Sequence, residues 1–198
     1  RSEPDDLDEH STQQPHDKAG VVRGALISQN AIWESSKIIN SNIEIQPGVT
    51  LDVRCTLYIS PHAKIIVKQG AKLIVDGGTL TAHSGGCHDF WQGIQVWGTS
   101  NQHQYPANNP TYQGMVVLKN GAVIEHAADA IQTWQPGYLN TAGGVVQVQG
   151  TATQVGATFL NCKRGLWFWP YQNFNPSNPN QLRTNLSYFN YAEFKVDN

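Results

Sequence analysis

A short pattern that occurs three times limits what this chain can fold into more than any other feature of its sequence. Each copy reads small, aliphatic, variable, apolar or β-branched, tryptophan, and the copies are 93–97 (GIQVW), 130–134 (AIQTW) and 165–169 (GLWFW). The three tryptophans stand 37 and 35 residues apart. The sequence upstream repeats as well, because 123–127 aligns without a gap on 158–162. A repeat of nearly fixed length predicts a solenoid, in which equivalent segments stack on one another.

Short segments of alternating hydrophobicity predict the strands of this solenoid. The clearest of them are 43–45, 50–53, 56–59, 64–67, 72–75 and 78–81. Three share a lead-in in which Gly48, His62 or Gly70 fits a turn position that tolerates a positive φ. The first and third lead-ins are 22 residues apart, about the length of one coil of a three-sided parallel β-helix.

These patterns divide the chain into two regions. Residues 1–22 are expected to be a disordered acidic leader or linker, because five of the first nine residues are acidic and few apolar residues are present. Residues 23–198 are expected to form the β-helix domain, with loop insertions at 99–113, 134–143 and 171–184. No cap is evident at the end, so we expect further coils beyond Asn198 or another chain covering the last coil.

Charge and cysteine content exclude several classes of protein. A net charge of −2 gives no electrostatic basis for binding nucleic acid, and no apolar run approaches the roughly 18 residues of a membrane span.

Three cysteines are too few for a disulfide scaffold. Cys55 and Cys87 fall on neighbouring coils and are a possible disulfide, although two buried free thiols fit equally well. Cys162 takes the repeat position of a small residue, Ala127, and is expected to be a buried free thiol.

Six segments of the chain resemble a known family. In order, 47–53 (PGVTLDV), 55–60 (CTLYIS), 70–81 (GAKLIVDGGTLT), 90–98 (FWQGIQVWG), 114–131 (GMVVLKNGAVIEHAADAI) and 157–171 (ATFLNCKRGLWFWPY) resemble a repeat region of secreted Bacteroidetes proteins. Those proteins look like right-handed parallel β-helices of the pectin-lyase-like class and often carry a type IX secretion sorting domain. The resemblance covers about residues 30–195 and implies a right-handed β-helix outside the cell or on its surface. It implies no particular activity, because one fold serves many functions.

The chain departs from that family in two respects. His62 stands where the family usually has glycine. The sorting domain itself is absent from the sequence, so secretion by the type IX route is implied by the resemblance alone.

Candidate catalytic residues are sparse. Polysaccharide hydrolases of this fold need paired carboxylates, but Asp52 and Asp76 are 24 residues apart and do not match the 22-residue coil. We therefore expect no catalytic site here, and no cofactor. The alternative is that the chain is the N-terminal part of a polysaccharide lyase or glycoside hydrolase whose catalytic residues lie beyond Asn198.

Two clusters contain metal-ligand residue types. The group at 83 and 87–89 (His, Cys, His, Asp) lies in a glycine-rich turn, and a single such cluster is weak evidence for zinc. The group Glu125, His126 and Asp129 occupies a repeat position whose other copy has no such residues, which favours a structural turn. We expect no metal site.

The aromatic residues give the stronger prediction. If Ile94 and Val96 point inward, alternation turns Gln95 and Trp97 outward. The repeat then stacks the outward tryptophans in one column and places Gln95, Gln132 and Trp167 beside it. Either loops cover this ladder and it only stabilises the stack, or it is an exposed strip that holds sugar faces. The candidate ligand-binding residues are Trp97, Trp134, Trp167, Trp169, Tyr105 and Tyr171.

These expectations define one function class. The sequence favours a secreted or cell-surface module without catalysis, serving structure, adhesion or glycan binding. Its expected partner is a polysaccharide or a cell-surface glycan.

Overall fold

A computed structural model describes residues 20–83 and 89–197. They form three long parallel sheets, whose strands we number in chain order. Sheet A contains β1 (Gly20–Val22), β4 (Lys37–Ile39), β7 (Thr56–Ile59), β10 (Thr79–Ala82), β13 (Ala122–Glu125), β16 (Ala157–Leu160) and β21 (Ala192–Lys195). Sheet B contains β2 (Ala25–Ile27), β5 (Ile43–Ile45), β8 (Ile65–Val67), β11 (Ile94–Val96), β14 (Asp129–Gln132) and β17 (Arg164–Trp167). Sheet C contains β3 (Ala31–Trp33), β6 (Thr50–Val53), β9 (Lys72–Asp76), β12 (Met115–Lys119), β15 (Val145–Gln149) and β20 (Tyr188–Asn190).

The remaining elements lie in loops between sheets B and C. They are an antiparallel hairpin of β18 (Phe174–Asn175) and β19 (Asn178–Leu182), and a short 3-10 turn (Leu139–Thr141). The hairpin lies within the predicted third insertion, which the sequence had indicated only as a loop.

The chain passes through sheets A, B and C in turn, and each strand pairs in parallel with its equivalent in the next coil. Thr50 pairs with Lys72, so one early coil is the predicted 22 residues. The threefold pattern also aligns as predicted, since Ile131 pairs with Ile94 on one side and with Leu166 on the other. This arrangement confirms the predicted fold class, an all-β three-sided parallel β-helix.

The core consists of columns of inward-facing side chains. Parallel pairing stacks equivalent residues about 4.8 Å apart, so similar aliphatic side chains fill the interior at every coil. The clearest columns are Leu57–Leu80–Ile124–Phe159 in sheet A, Ile43–Ile65–Ile94–Ile131 in sheet B and Leu51–Leu73–Val116–Val146 in sheet C, all fully or almost fully buried.

The corners between sheets explain one wrong detail of the sequence interpretation. Gly48 and Gly70 lie at the corner between sheets B and C and have φ angles of 79° and 73°, as predicted. His62 does not have a positive φ, so the turn prediction was wrong there; it lies at a different corner, between β7 of sheet A and β8 of sheet B. At that A–B corner, His126 and Asn161 adopt φ angles of 53° and 51° and lie one coil apart.

The N-terminal boundary also differs from the prediction. Gly20–Val22, assigned to the leader from the sequence, form β1 because they pair in parallel with Lys37–Ile39. The rest of the predicted leader, residues 1–19, lies outside the described residues. Within the part of the chain that the structure describes, no helix has the length and apolar character needed to cross a membrane.

Candidate functional site

The candidate site is built on the outer face of sheet C. Loops that leave the corner between sheets B and C fold back over this face, and Lys72 donates a hydrogen bond to the carbonyl of Asn108 in the first of them. Beneath the loops, Met115, Val117 and Val145 form a second apolar cluster outside the β-helix core. Because of this cover, an outward-facing surface has become a small core of its own.

The first loop is closed by one buried amide. The Gln113 side chain is fully buried, and its Nε2 donates to the carbonyls of Thr99 and Gln102, each at 3.0 Å. Its Oε1 accepts the backbone N–H of Thr99 at 2.9 Å. An amide that satisfies its donors and its acceptor in this way fixes the loop, since breaking it would leave buried polar groups unpaired.

Two further buried amides join the loops to one another. Gln104 donates to the carbonyl of Gly143 at 3.0 Å and accepts the backbone N–H of Leu186 at 2.8 Å. Asn173 accepts the backbone N–H of Gln104 at 3.0 Å and donates to the carbonyl of Thr184 at 2.7 Å. Gln104 and Asn173 therefore tie three separate insertions into one network.

Tyr171 reinforces this network. Its hydroxyl donates to the carbonyl of Gln102, and burial raises the pKa of Tyr171 far above its ordinary value. The phenol thus stays protonated at neutral pH and acts as a fixed hydrogen-bond donor.

A groove of about 770 Å³ lies where these insertions meet. Tyr105 and Ala107 form one wall, the segment 182–188 forms the other, and Gln147 lies between them on β15. The Tyr188 hydroxyl accepts a hydrogen bond from Gln149 at 3.2 Å. The groove therefore presents two tyrosine side chains beside amide and hydroxyl groups.

Charge in the groove is carried by Arg183. Its guanidinium lies 4.7 Å from the centroid of the Tyr105 ring, and none of the residues that line the groove is acidic. The backbone N–H of Arg183 donates to the carbonyl of Asn173 at 2.8 Å, so the buried network also places this arginine.

The predicted tryptophan ladder is present in part. Trp134 is only 3% exposed, and its ring contacts Trp167 edge to face at 4.6 Å and Trp169 at 5.5 Å between centroids. Trp97 instead donates to the Gln95 side chain at 3.2 Å and makes no ring contact with another aromatic residue in the described chain.

Exposure along the ladder is uneven. Trp169 is 36% exposed. The Trp167 ring is covered by the Arg164 guanidinium, whose Cζ lies 3.5 Å from the ring centroid. Arg164 in turn pairs with Asp129. The row beside the ladder has the predicted register, because Gln132 pairs with Gln95 and with Trp167. The ladder is therefore a packed cluster of three tryptophans with one exposed ring.

The structure divides the predicted ligand-binding residues among different surroundings. Trp134, Trp167 and Trp169 lie together, Trp97 lies apart from their rings, and Tyr171 belongs to the buried network. Tyr105 alone of the six lines the groove.

The sequence interpretation missed Tyr188, Arg183 and Gln147. Tyr188 and Gln147 pair with each other at an outward position of sheet C, which alternation could have indicated. Arg183 lies in a segment without periodicity, where its positive charge was the only signal.

Asp52 and Asp76, the two carboxylates compared from the sequence, each pair with a basic residue. Asp52 pairs with Arg54 at 2.7 Å, and Asp76 pairs with Lys119 at 3.0 Å. Asn120 and Lys119 hold the pKa of Asp76 below its ordinary value. The Asp52 pair lies within one coil, and the Asp76 pair joins two neighbouring coils.

Of the two clusters of metal-ligand residue types, one lies partly outside the described residues and the other lies within them. Cys87 and His88 lie outside the described residues, and residues 20–83 and 89–197 contain no group of three side chains suited to a metal ion. His126 lies at a sheet corner, where its Nε2 is hydrogen-bonded to Asn161 Nδ2 at 3.4 Å.

The cysteines are described in part. Cys55 is a buried free thiol in the structure, and its predicted partner Cys87 lies outside the described residues, so the disulfide stays a prediction. Cys162 is a free thiol whose sulfur contacts the carbonyls of Ile124 and Leu160. Burial raises the pKa of both described thiols.

Known proteins give no further information on this site. No protein family model matches the chain, and neither a curated protein nor a solved structure matches it.

Proposed function

We propose that this protein is a secreted or cell-surface β-helix module that binds a polysaccharide or a cell-surface glycan without catalysis. The observation that carries the proposal is the groove between the insertions, with Tyr105 on one wall and Tyr188 on the other. Aromatic rings that pack on the CH faces of sugars, with amides beside them, suit a saccharide ligand.

The size and rigidity of the groove support this proposal. A volume of about 770 Å³ falls within the range of roughly 300–1,000 Å³ that is usual for ligand sites. The buried amides of Gln104 and Asn173 hold both walls before a ligand arrives. A preformed site loses little conformational entropy on binding, which favours affinity.

The chemistry of the described residues supports binding in preference to catalysis. Asp52 and Asp76 each have a cationic partner on the scaffold, and neither lines the groove. The extracellular location and the type IX route are proposed from the sequence resemblance described above, and an adhesive role would follow from glycan binding at a cell surface.

Native affinity electrophoresis in gels that contain soluble polysaccharides tests the proposal. The wild-type protein is expected to be retarded by at least one polysaccharide, and Tyr188→Ala should weaken this binding by about tenfold, as expected for an aromatic anchor. Tyr138→Ala is the matched control, because Tyr138 is 58% exposed and lies outside the groove. Equal retardation of the two variants, or no retardation of the wild type by any polysaccharide, would reject the groove as a glycan site.

A further inference from the structure

Arg183 is the one cationic residue that lines the groove, and unlike Arg54 and Arg164 it has no ion pair among the described residues. Arg54 pairs with Asp52, and Arg164 pairs with Asp129. Arg183 has no carboxylate within ion-pair distance among the described residues. Its guanidinium instead lies over the Tyr105 ring, in a groove lined by no acid.

The stacking arrangement leaves the hydrogen-bonding edge of this guanidinium available. A guanidinium is planar and donates its N–H groups in the plane, so packing one face on a ring does not occupy them. Contact with the tyrosine ring also restricts the plane of the group. A fork of donors that lies over the Tyr105 ring with no carboxylate in an ion pair with it matches a planar or tetrahedral oxyanion, which it can bind through two parallel hydrogen bonds.

We propose that the groove selects saccharides that carry an anionic group, either a carboxylate or a sulfate ester, and that Arg183 receives this group. This inference rests on the proposed glycan-binding function. The tyrosines would contribute affinity for any sugar of suitable shape, whereas Arg183 would decide between charged and neutral sugars.

The test uses three hexasaccharides of matched length: one neutral, one with uronic acid residues and one with sulfate esters. Isothermal titration calorimetry with the full chain should show about tenfold or more tighter binding of at least one anionic hexasaccharide, in keeping with a hydrogen bond to a charged group. Whether the uronate or the sulfated sugar binds more tightly identifies the source of the charge. Raising the salt concentration should weaken the anionic interaction and leave the neutral one unchanged.

Arg183→Gln should remove the preference for the anionic sugar and leave the affinity for the neutral one within about twofold. Arg183→Lys should retain part of the preference, because the charge remains and the fork is lost. Arg23→Gln is the control, because Arg23 is exposed in the first coil. This substitution removes the same net charge far from the groove. A denaturant melt of each variant separates loss of binding from loss of folding.

The outcomes distinguish the two proposals. If wild type binds all three sugars alike and Tyr188→Ala weakens all of them, the groove is a glycan site and the charge selection is wrong. If Arg183→Gln and Arg23→Gln reduce anionic binding equally, the preference comes from net charge and Arg183 has no special role. If the wild-type protein binds none of the three sugars, this inference fails, and the polysaccharide gels decide separately on the proposed function.

Discussion

The early and the late coils of this β-helix share one core but differ in what covers their outer faces. Between residues 37 and 76 the corners are short, and charged pairs such as Glu44–Lys68, with 2.7 Å between their atoms, lie on the surface. From residue 98 onward, long insertions leave the corner between sheets B and C, and the outer face beneath them is apolar, with Met115 and Val145 buried.

This difference shows how a solenoid acquires a binding site. Stacked columns of Ile, Leu and Val fill the interior of the early coils. The late coils use inserted chain to cover a sheet face, bury three amide side chains in the process, and leave a groove where the inserted segments meet. Rigid strands thus provide the scaffold, and the loops provide the surface on which function depends.

The largest expected effect concerns Trp134, which lies just after β14 and is only 3% exposed. Trp134→Ala should lower the free energy of unfolding by about 3–5 kcal/mol, the usual cost of deleting a buried large aromatic side chain. Trp169→Ala is the matched control, because that ring is 36% exposed and contacts Trp134 from one side. Chemical denaturation monitored by circular dichroism measures both.

A loss of similar size in the two tryptophan variants would mean that burial of the Trp134 ring adds no stability beyond that of the partly exposed Trp169 ring. The comparison between early and late coils would then lose its energetic basis, and the cluster would be a surface feature.

The second prediction tests the buried amides. Asn173→Ala removes the acceptor of the Gln104 N–H and the donor to Thr184, and should cost about 1–3 kcal/mol, because a buried donor is left unpaired. Asn101→Ala, at an exposed position of the first insertion, should stay within about 0.5 kcal/mol of wild type. Thermal melts of both variants provide the measurement.

The same variant should loosen the groove. Since the Asn173 side chain also holds the Thr184 carbonyl in the segment that lines the groove, native-state hydrogen exchange of the 182–188 amides should become faster in Asn173→Ala and remain unchanged in Asn101→Ala. Unchanged exchange would show that the groove wall is held by other contacts.

The fold was predictable from the sequence because its determinants repeat. Inward positions carry the same kind of side chain in every coil. The two residues that the sequence repeat aligns, Ile94 and Ile131, are therefore also the two that pair in neighbouring strands. The turn at His62 was misread because a local lead-in of similar residues occurs at two different corners, and only pairing distinguishes them.

The site was less predictable because loops decide it. Alternation gives the outward direction of Trp97 and Trp134, but the ring contacts of each depend on which inserted segment lies above it. Tyr105 was identified as a residue next to the stack, whereas Arg183 reaches it through a hairpin that has no repeat partner. Side chains that meet across long insertions leave no periodic trace in one sequence.

The smallest expected effect on the free energy of unfolding comes from the charged pairs between coils. The pair of Asp76 with Lys119 makes this effect depend on pH. Asn120, and then Lys119, hold the pKa of Asp76 below its ordinary value of 3.8. A carboxylate whose pKa is lower in the folded state stabilises the protein above the pKa of the unfolded state and loses that effect as the pH falls through the folded pKa. Asp76→Asn should therefore cost about 0.5 kcal/mol at pH 5–7, as is usual for a pair near the surface, and the deficit should vanish as the pH falls through the lowered pKa of Asp76.

Asn120→Gly provides the matched change, because Asn120 has a φ of 56° that glycine adopts without strain. With the hydrogen bond from Asn120 removed, the pKa of Asp76 should rise, and the acid loss of stability should begin at a higher pH than in wild type. Denaturant melts from pH 7 to pH 2 measure all three proteins. A deficit in Asp76→Asn that is the same at pH 2 as at pH 7 would assign the effect to side-chain packing, and the ion pair of Asp76 with Lys119 would then contribute no electrostatic stability.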